Sequence, residues 1–150
     1  MQQLKNIVVL VLLAVVPAAW AADVGVIKTS KGGVAILRDG HEMAAPAGTP
    51  VRQSDRVLTR ADGSAGITFN DNSLLSLGPD SSLDISLFSF GAKDQPDALE
   101  ATLNRGTLNA VSGKIVAKTP EAMKIKTPTT VLGVRGTEFF VKVTNPETGK

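Results

Sequence analysis

Apolar and polar residues alternate along most of the chain from Val24 onward, and Gly, Asp, Asn or Pro interrupts the alternation every few residues. The clearest example is Ala65, Ile67 and Phe69, which alternate with small or polar residues up to the turn at residues 70–72. A period of two is the pattern of half-buried β-strands. Outside the N-terminus, no window shows helical spacing, so the pattern predicts a succession of short strands.

The alternation places about ten strands and the turns between them. The predicted strands cover residues 24–29, 34–38, 56–59, 64–69, 75–77, 83–87, 99–103, 107–111, 115–119, 123–127 and 137–143. Residues 30–33 are predicted to form a hairpin turn, residues 39–40 and 105–106 are further turns, residues 44–55 form a loop, and residues 91–97 form a polar loop tip.

Many short strands with frequent turns favour an all-β fold. We predict an antiparallel β-sandwich of jelly-roll character. A β-solenoid-like stack of short strands is the alternative, because Ser64, Ser73 and Ser82 recur nine residues apart.

The first 21 residues follow a different pattern. Lys5 precedes an unbroken apolar run at residues 7–16, Pro17 follows, and Ala19 and Ala21 are small residues at the positions that a signal peptidase reads. A membrane span needs about 20 apolar residues, so a cleaved signal peptide is favoured over a retained anchor. We expect cleavage near Ala21–Ala22, leaving residues 22–150 as a single domain with a polar tail from about residue 145.

Composition narrows the function classes. Without Lys5 the mature chain carries 15 basic and 14 acidic residues. These charges are interspersed, so neither nucleic acid nor stable membrane insertion is expected. The chain has no cysteine, and therefore no disulfide and no lipid-acceptor thiol. Once Trp20 is removed, its only aromatic residues are five phenylalanines.

The inventory for catalysis is thin. His41 is the only histidine and lies beside the turn at residues 39–40, so it is interpreted as a surface residue. Without a cysteine or a further histidine, we expect no catalytic residue, no metal, no cofactor and no enzymatic activity. Two alternatives stay open: a carboxylate pair for glycoside cleavage, and calcium bound by the successive turn residues Asp62, Asn70, Asp71, Asn72 and Asp80.

Two features are candidates for binding. In residues 134–139, Val-Arg-Gly-Thr-Glu-Phe, Arg135 either donates to a partner's carboxylate or folds back onto a carboxylate of its own chain, and Thr137 and Glu138 lie beside it. By alternation, Phe88, Phe90 and Phe140 face outward and form a docking patch, unless both faces of those strands are covered.

Several segments in order resemble the FecR-type periplasmic domain family. They are residues 24–27, 33–36, 39–40, 48–51, 54–59, 64–77, 103–108, 125–130 and the closing 134–139. The resemblance implies an all-β periplasmic binding module. In family members that relay signals, an inner part controls a sigma factor. This sequence resembles a stand-alone secreted member without the anti-sigma and transmembrane parts, so direct sigma-factor control is not expected.

These observations together predict a non-catalytic periplasmic interaction or sensing module that binds another cell-envelope protein. Strand addition along an exposed edge such as residues 137–143 is one way to bind. Three alternatives stay open: a carbohydrate- or peptidoglycan-binding protein, a self-assembling structural envelope protein, and secretion beyond the periplasm.

Overall fold

Twelve β-strands and one short helix form the regular structure of residues 21–144, which are the residues that the computed structural model describes. Almost all of the predicted signal peptide and the polar tail from residue 145 lie outside this range. The strands are β1 (Asp23–Lys31), β2 (Val34–Arg38), β3 (His41–Ala44), β4 (Pro50–Arg52), β5 (Arg56–Thr59), β6 (Ser64–Phe69), β7 (Leu74–Leu77), β8 (Ser82–Ser89), β9 (Ala98–Val111), β10 (Met123–Lys126), β11 (Val131–Gly133) and β12 (Glu138–Val143), and the helix is α1 (Lys114–Lys118).

The long strand β9 joins two half-sheets. Its residues from Gly106 to Val111 belong to half-sheet I, in which the strand order is β4-β1-β6-β7-β9-β12. Its residues from Ala98 to Arg105 belong to half-sheet II, in the order β3-β2-β5-β8-β9-β10-β11. All neighbouring strands are antiparallel except β9 and β10, which run parallel.

The two half-sheets enclose one hydrophobic core. Buried residues from half-sheet I, including Ile27 and Ile67, and from half-sheet II, including Ile36 and Leu103, belong to the same cluster. The ring of Phe69 on β6 stacks on that of Phe88 on β8, with centroids 5.5 Å apart. Alternation along each strand supplies these inward side chains. The predicted all-β antiparallel sandwich is therefore confirmed, with two curled halves rather than two separate sheets.

A glycine allows β9 to pass from one half-sheet to the other. Gly106 has φ +91°, and a Cβ atom there would lie 2.1 Å from Oγ of Ser81. A side chain fits neither that backbone conformation nor that space. The predicted turn at residues 105–106 is therefore wrong: the two strands expected at residues 99–103 and 107–111 are one bent strand.

The strand predicted at residues 115–119 is wrong, because residues 114–118 form helix α1. The carboxylate of Asp71 is fully buried and accepts a hydrogen bond from the backbone N–H of Ile115 (3.3 Å). The carbonyl of Asp71 accepts the N–H of Lys114 (2.8 Å), and Oγ of Ser73 accepts the N–H of Gly113 (3.0 Å). Three bonds from a distant turn thus satisfy the N–H groups of Gly113, Lys114 and Ile115, where α1 begins.

Strand pairing differs from the prediction in further places. The turn at residues 30–33 does not close a hairpin, because β1 pairs with β4 and β6 while β2 pairs with β3 and β5. The predicted loop at residues 44–55 contains β4, and β3 and β11 were not predicted. No helix among residues 21–144 is long and apolar enough to cross a membrane.

Candidate functional site

The segment from Gly133 to Thr137 crosses from half-sheet II to half-sheet I and is anchored at both ends. Val134 is buried, and its N–H donates to the carbonyl of Met123 (3.1 Å). At the other end, Ser112 donates its N–H to the carbonyl of Thr137 (2.9 Å) and its hydroxyl to the carbonyl of Gly136 (2.8 Å). The segment therefore has a fixed path, with Arg135 at its exposed middle.

Arg135 separates two concave surfaces. A groove of about 690 Å³ lies on the side of α1, where Val116, Ala117 and Pro120 line it. A smaller groove of about 280 Å³ lies on the other side, lined by apolar residues of β11 and β12 such as Leu132 and Phe139. Arg135 lines both grooves.

The guanidinium of Arg135 makes one ion pair within its own chain. It donates to Oε1 of Glu121 at 2.7 Å, and both side chains are about three-quarters exposed (76% and 73%). The expected contact with a carboxylate of the same chain is thus present. Exposed pairs of this kind contribute about 0–1 kcal/mol, so Arg135 is available to a competing carboxylate.

β12 is an edge strand in the described part of the chain. It pairs with β9 through the register Glu138↔Val111 to Val143↔Gly106, and no described strand pairs with its other side. Val141 is buried in the core, while Phe139 and Val143 are partly buried against it. The alternate residues face solvent, and they are Glu138, Phe140 and Lys142.

Phe140 is the most exposed phenylalanine in the described range, at 65%. Next to it, Glu138 accepts a hydrogen bond from Nδ2 of Asn109 on β9 (3.0 Å). A shallow depression along the strand is lined by Asn109, Glu138, Phe139 and Phe140. The outward orientation predicted for Phe140 by alternation is confirmed.

Phe88 and Phe90 do not share this surface. Both are partly buried against the core: Phe88 stacks on Phe69, and Nζ of Lys118 lies 5.4 Å from the ring centre of Phe90. A register shift between Ile85 and Leu87 interrupts the alternation of β8. The outward orientation expected for them is therefore wrong. The structure brings together Arg135, Thr137, Glu138 and Phe140, and leaves Phe88 on β8 and Phe90 directly after that strand.

Three of the five turn residues considered as calcium ligands form hydrogen bonds to the backbone through their side chains. Oδ1 of Asp62 accepts the N–H of Gly33 (3.2 Å), Nδ2 of Asn70 donates to the carbonyl of Asp23 (2.9 Å), and Asp71 holds α1. Residues 21–144 contain no group of three or more His, Asp or Glu residues placed to hold a metal ion. The absence of a metal, of a cofactor and of catalysis stays a prediction.

His41 lies at the start of β3, exposed, with Nδ1 3.0 Å from the carbonyl oxygen of Asp39. It is therefore a surface residue at a turn, as expected.

Sequence reasoning missed two exposed residues beside the site. One is Glu121, which pairs with Arg135. Lys142 lies on the same face of β12 as Glu138 and Phe140. The alternation in residues 137–143 was sufficient to find Lys142, whereas Glu121 is close to Arg135 only because of the tertiary fold.

Residues 21–144 thus place the protein in the class of all-β proteins with an unpaired edge strand that exposes an aromatic residue. The family model described as FecR protein matches residues 55–149. The chain therefore belongs to the FecR family, a regulatory, non-enzymatic family whose domains lie in the periplasm and interact with other envelope proteins. The comparisons with curated proteins and with solved structures gave no match.

Proposed function

We propose that this chain is a non-catalytic periplasmic sensing or interaction module, exported by its N-terminal signal peptide, that binds another cell-envelope protein along the free edge of β12. The observation that carries the proposal is this edge, which exposes backbone hydrogen-bonding groups beside Phe140. An unpaired strand edge is a template for an added strand. Membership of the FecR family supports an envelope partner.

The proposed contact surface consists of Arg135, Thr137, Glu138 and Phe140. The partner's strand pairs with β12, Phe140 packs against an apolar side chain of that strand, and Arg135 exchanges Glu121 for a carboxylate of the partner. Phe88 and Phe90 are left out of this surface because they pack against the core.

Affinity capture from cross-linked cells tests this function. The full chain is expressed with its own leader and a C-terminal tag, and the captured proteins are identified by mass spectrometry. We expect one dominant envelope protein with the wild type. The same protein is expected to be lost from Phe140→Asp, because a carboxylate would be desolvated at the centre of the contact.

Val131→Asp is the matched control. Val131 is similarly exposed, at 60% against 65% for Phe140, and lies on the edge strand of the other half-sheet. It should retain the captured protein, and circular dichroism should show the wild-type fold for both variants. Equal capture by all three proteins would remove β12 from the binding site, and capture of no envelope protein by the wild type would refute the function itself.

A further inference from the structure

Four strands of the described fold have a partner on one side only: β3, β4, β11 and β12. β4 and β11 have three residues each and β4 begins with Pro50, so both are too short to support much pairing. β3 has four residues. β12, with six residues and no proline, is the longest edge, and it is where an added strand would gain most hydrogen bonds.

The exposed face of β12 is complementary to itself. Its outward residues are Glu138, Phe140 and Lys142, an acid and a base placed symmetrically about an aromatic ring. In an antiparallel pair of identical strands centred on Phe140, Glu138 lies opposite the partner's Lys142, and Lys142 lies opposite the partner's Glu138. Opposite charges directly across a strand pair stabilise it, and an aromatic pair does so as well.

Neighbouring registers lack this complementarity. Centring the pair on Glu138 or on Lys142 places two like charges opposite each other, which is destabilising. Centring it on Phe139 or Val141 pairs Phe140 with a charged residue instead of with a second ring. The inward face accepts the Phe140 register too, because Phe139 then lies opposite the partner's Val141 and both are apolar.

We infer that a second copy of this chain pairs with the free edge of β12, antiparallel and centred on Phe140, so that half-sheet I continues across a two-fold axis into the partner. In residues 21–144 Glu138 has only the neutral Asn109 as a partner and Lys142 has no ion pair. Both charges are therefore available. A contact of this kind is isologous and closes after two copies.

Reversing the charges tests the pairing. Sedimentation velocity measures the dimer dissociation constant of the processed full chain and of two variants, Glu138→Lys and Lys142→Glu. Each variant places like charges opposite each other twice, so we expect the dissociation constant to rise at least about tenfold. Salt should weaken the wild-type dimer in the same direction. Asp94→Lys and Lys93→Glu make the same charge changes in the exposed loop between β8 and β9 and should have no effect.

Two rescue experiments separate lost pairing from lost folding. An equimolar mixture of Glu138→Lys and Lys142→Glu should form a heterodimer, because each chain then supplies the charge that the other lacks. The double variant that exchanges both charges should dimerise within about threefold of the wild type. A wild type that stays monomeric at millimolar concentration would overturn the inference, as would single variants that dimerise like the wild type or rescues that fail.

A cysteine scan tests the register independently, because the chain has no native cysteine. Residues directly opposite each other in an antiparallel pair have Cα atoms about 4.5–5.5 Å apart, which is within reach of a disulfide. Phe140→Cys should therefore form a disulfide-linked dimer under mild oxidation. Glu138→Cys should not, since its own copy lies about 13 Å away along the pair. Cross-linking of both to the same extent would refute the register.

This pairing does not depend on the proposed envelope partner, although both use the same edge of β12 and therefore exclude each other on one chain. The dimer measurements need only the purified chain, whereas the proposed function is tested by capture from cells. A dimer without a captured partner would support the inference and refute the proposed function. A captured partner with a monomeric wild type would support the proposed function and refute the inference.

Discussion

Two aspartates, Asp55 and Asp84, illustrate how burial decides the value of an ion pair. Asp55 is 1% exposed. Its carboxylate accepts hydrogen bonds from Nε and a terminal nitrogen of Arg38 (2.8 and 2.7 Å) and from the backbone N–H of Arg52 (2.8 Å). Asp84 accepts hydrogen bonds from two nitrogens of Arg56, but its side chain is 30% exposed. The first pair holds the loop after β4 against β2, whereas the second lies on the surface.

We expect Asp55→Ala to lower the free energy of unfolding by about 3 kcal/mol, because it leaves Arg38 and the partly buried N–H of Arg52 without their acceptor. Asp84→Ala, the matched control with the same change at a more exposed pair, should cost about 1 kcal/mol or less. Urea unfolding followed by far-ultraviolet circular dichroism measures both. Equal losses would show that burial does not separate the two pairs.

Asp84 also makes stability depend on pH. The hydrogen bonds from Arg56 lower the pKa of Asp84, Asn104 adds to this effect, and partial burial opposes it. A carboxyl with a depressed folded pKa stabilises the protein above its ordinary value, about 3.9, and this contribution is lost as the pH falls through the lower folded value.

The wild type should therefore exceed Asp84→Asn in melting temperature at about pH 6, and the difference should shrink toward about pH 2. Thermal melts across this range check the sign. A difference that does not change with pH would show that the Arg56 contact contributes nothing through the charge of Asp84.

At the scale of elements, the sequence predicted which face of each strand is buried better than it predicted which strands pair. Alternation identified the inward residues of β6 and of β12, because a period of two records which side of a strand is buried. It carries no record of the neighbouring strand, so the β1–β2 crossover and the parallel pair of β9 and β10 were missed. Helix α1 was missed because it has only five residues. Its first turn is stabilised by hydrogen bonds to Asp71, some 40 residues earlier, and the local spacing of apolar residues carries no sign of such bonds.

The residues of the candidate site also divide into those that the sequence identified and those that depend on the strand order. Residues 134–139 and Phe140 were found because they lie in one stretch of sequence that ends in an alternating strand. Phe88 and Phe90 were misplaced because one register shift in β8 changes which face each later residue occupies. That β12 lies at an edge depends on the order of all the strands, which only the structure gives.

The bend of β9 gives a prediction for a single element. In Gly106→Ala, the new Cβ would meet Oγ and Cα of Ser81 at 2.1 and 2.5 Å, and the backbone has φ +91°. We expect a loss of about 2–4 kcal/mol in the free energy of unfolding. Ser81 cannot move away freely, because its hydroxyl oxygen accepts the N–H of Thr107 (3.0 Å).

Gly91→Ala is the control for this prediction. Gly91 also has a positive φ, +72°, but no atom lies within 4 Å of the added Cβ. It should cost only about 1 kcal/mol, the conformational term. If Gly91→Ala lowers the free energy of unfolding as much as Gly106→Ala does, the effect comes from the backbone angle alone and not from the crowded bend.

At the scale of the whole molecule, the family match and the folded body do not have the same limits. The match begins at residue 55, yet β1 lies between β4 and β6, and β2 lies between β3 and β5. Ile27, Ile36 and Val51 are fully buried in the shared core. The segment before residue 55 therefore supplies four strands and part of the core, and it is not an extension added to a complete fold.

A fragment of residues 55–150 should consequently lose cooperative unfolding, since it exposes the core and one edge each of β5 and β6. The matched experiment places a protease site between Lys93 and Asp94, in the exposed loop that joins β8 to β9. A chain cut there keeps every strand, and the seven registered pairs between β8 and β9 hold the two pieces together. The cut chain should melt cooperatively as one particle, while the fragment gives a broad transition by circular dichroism. A fragment that melts as sharply as the intact chain would show instead that residues 55–150 fold alone, and that β1 to β4 dock onto a finished core.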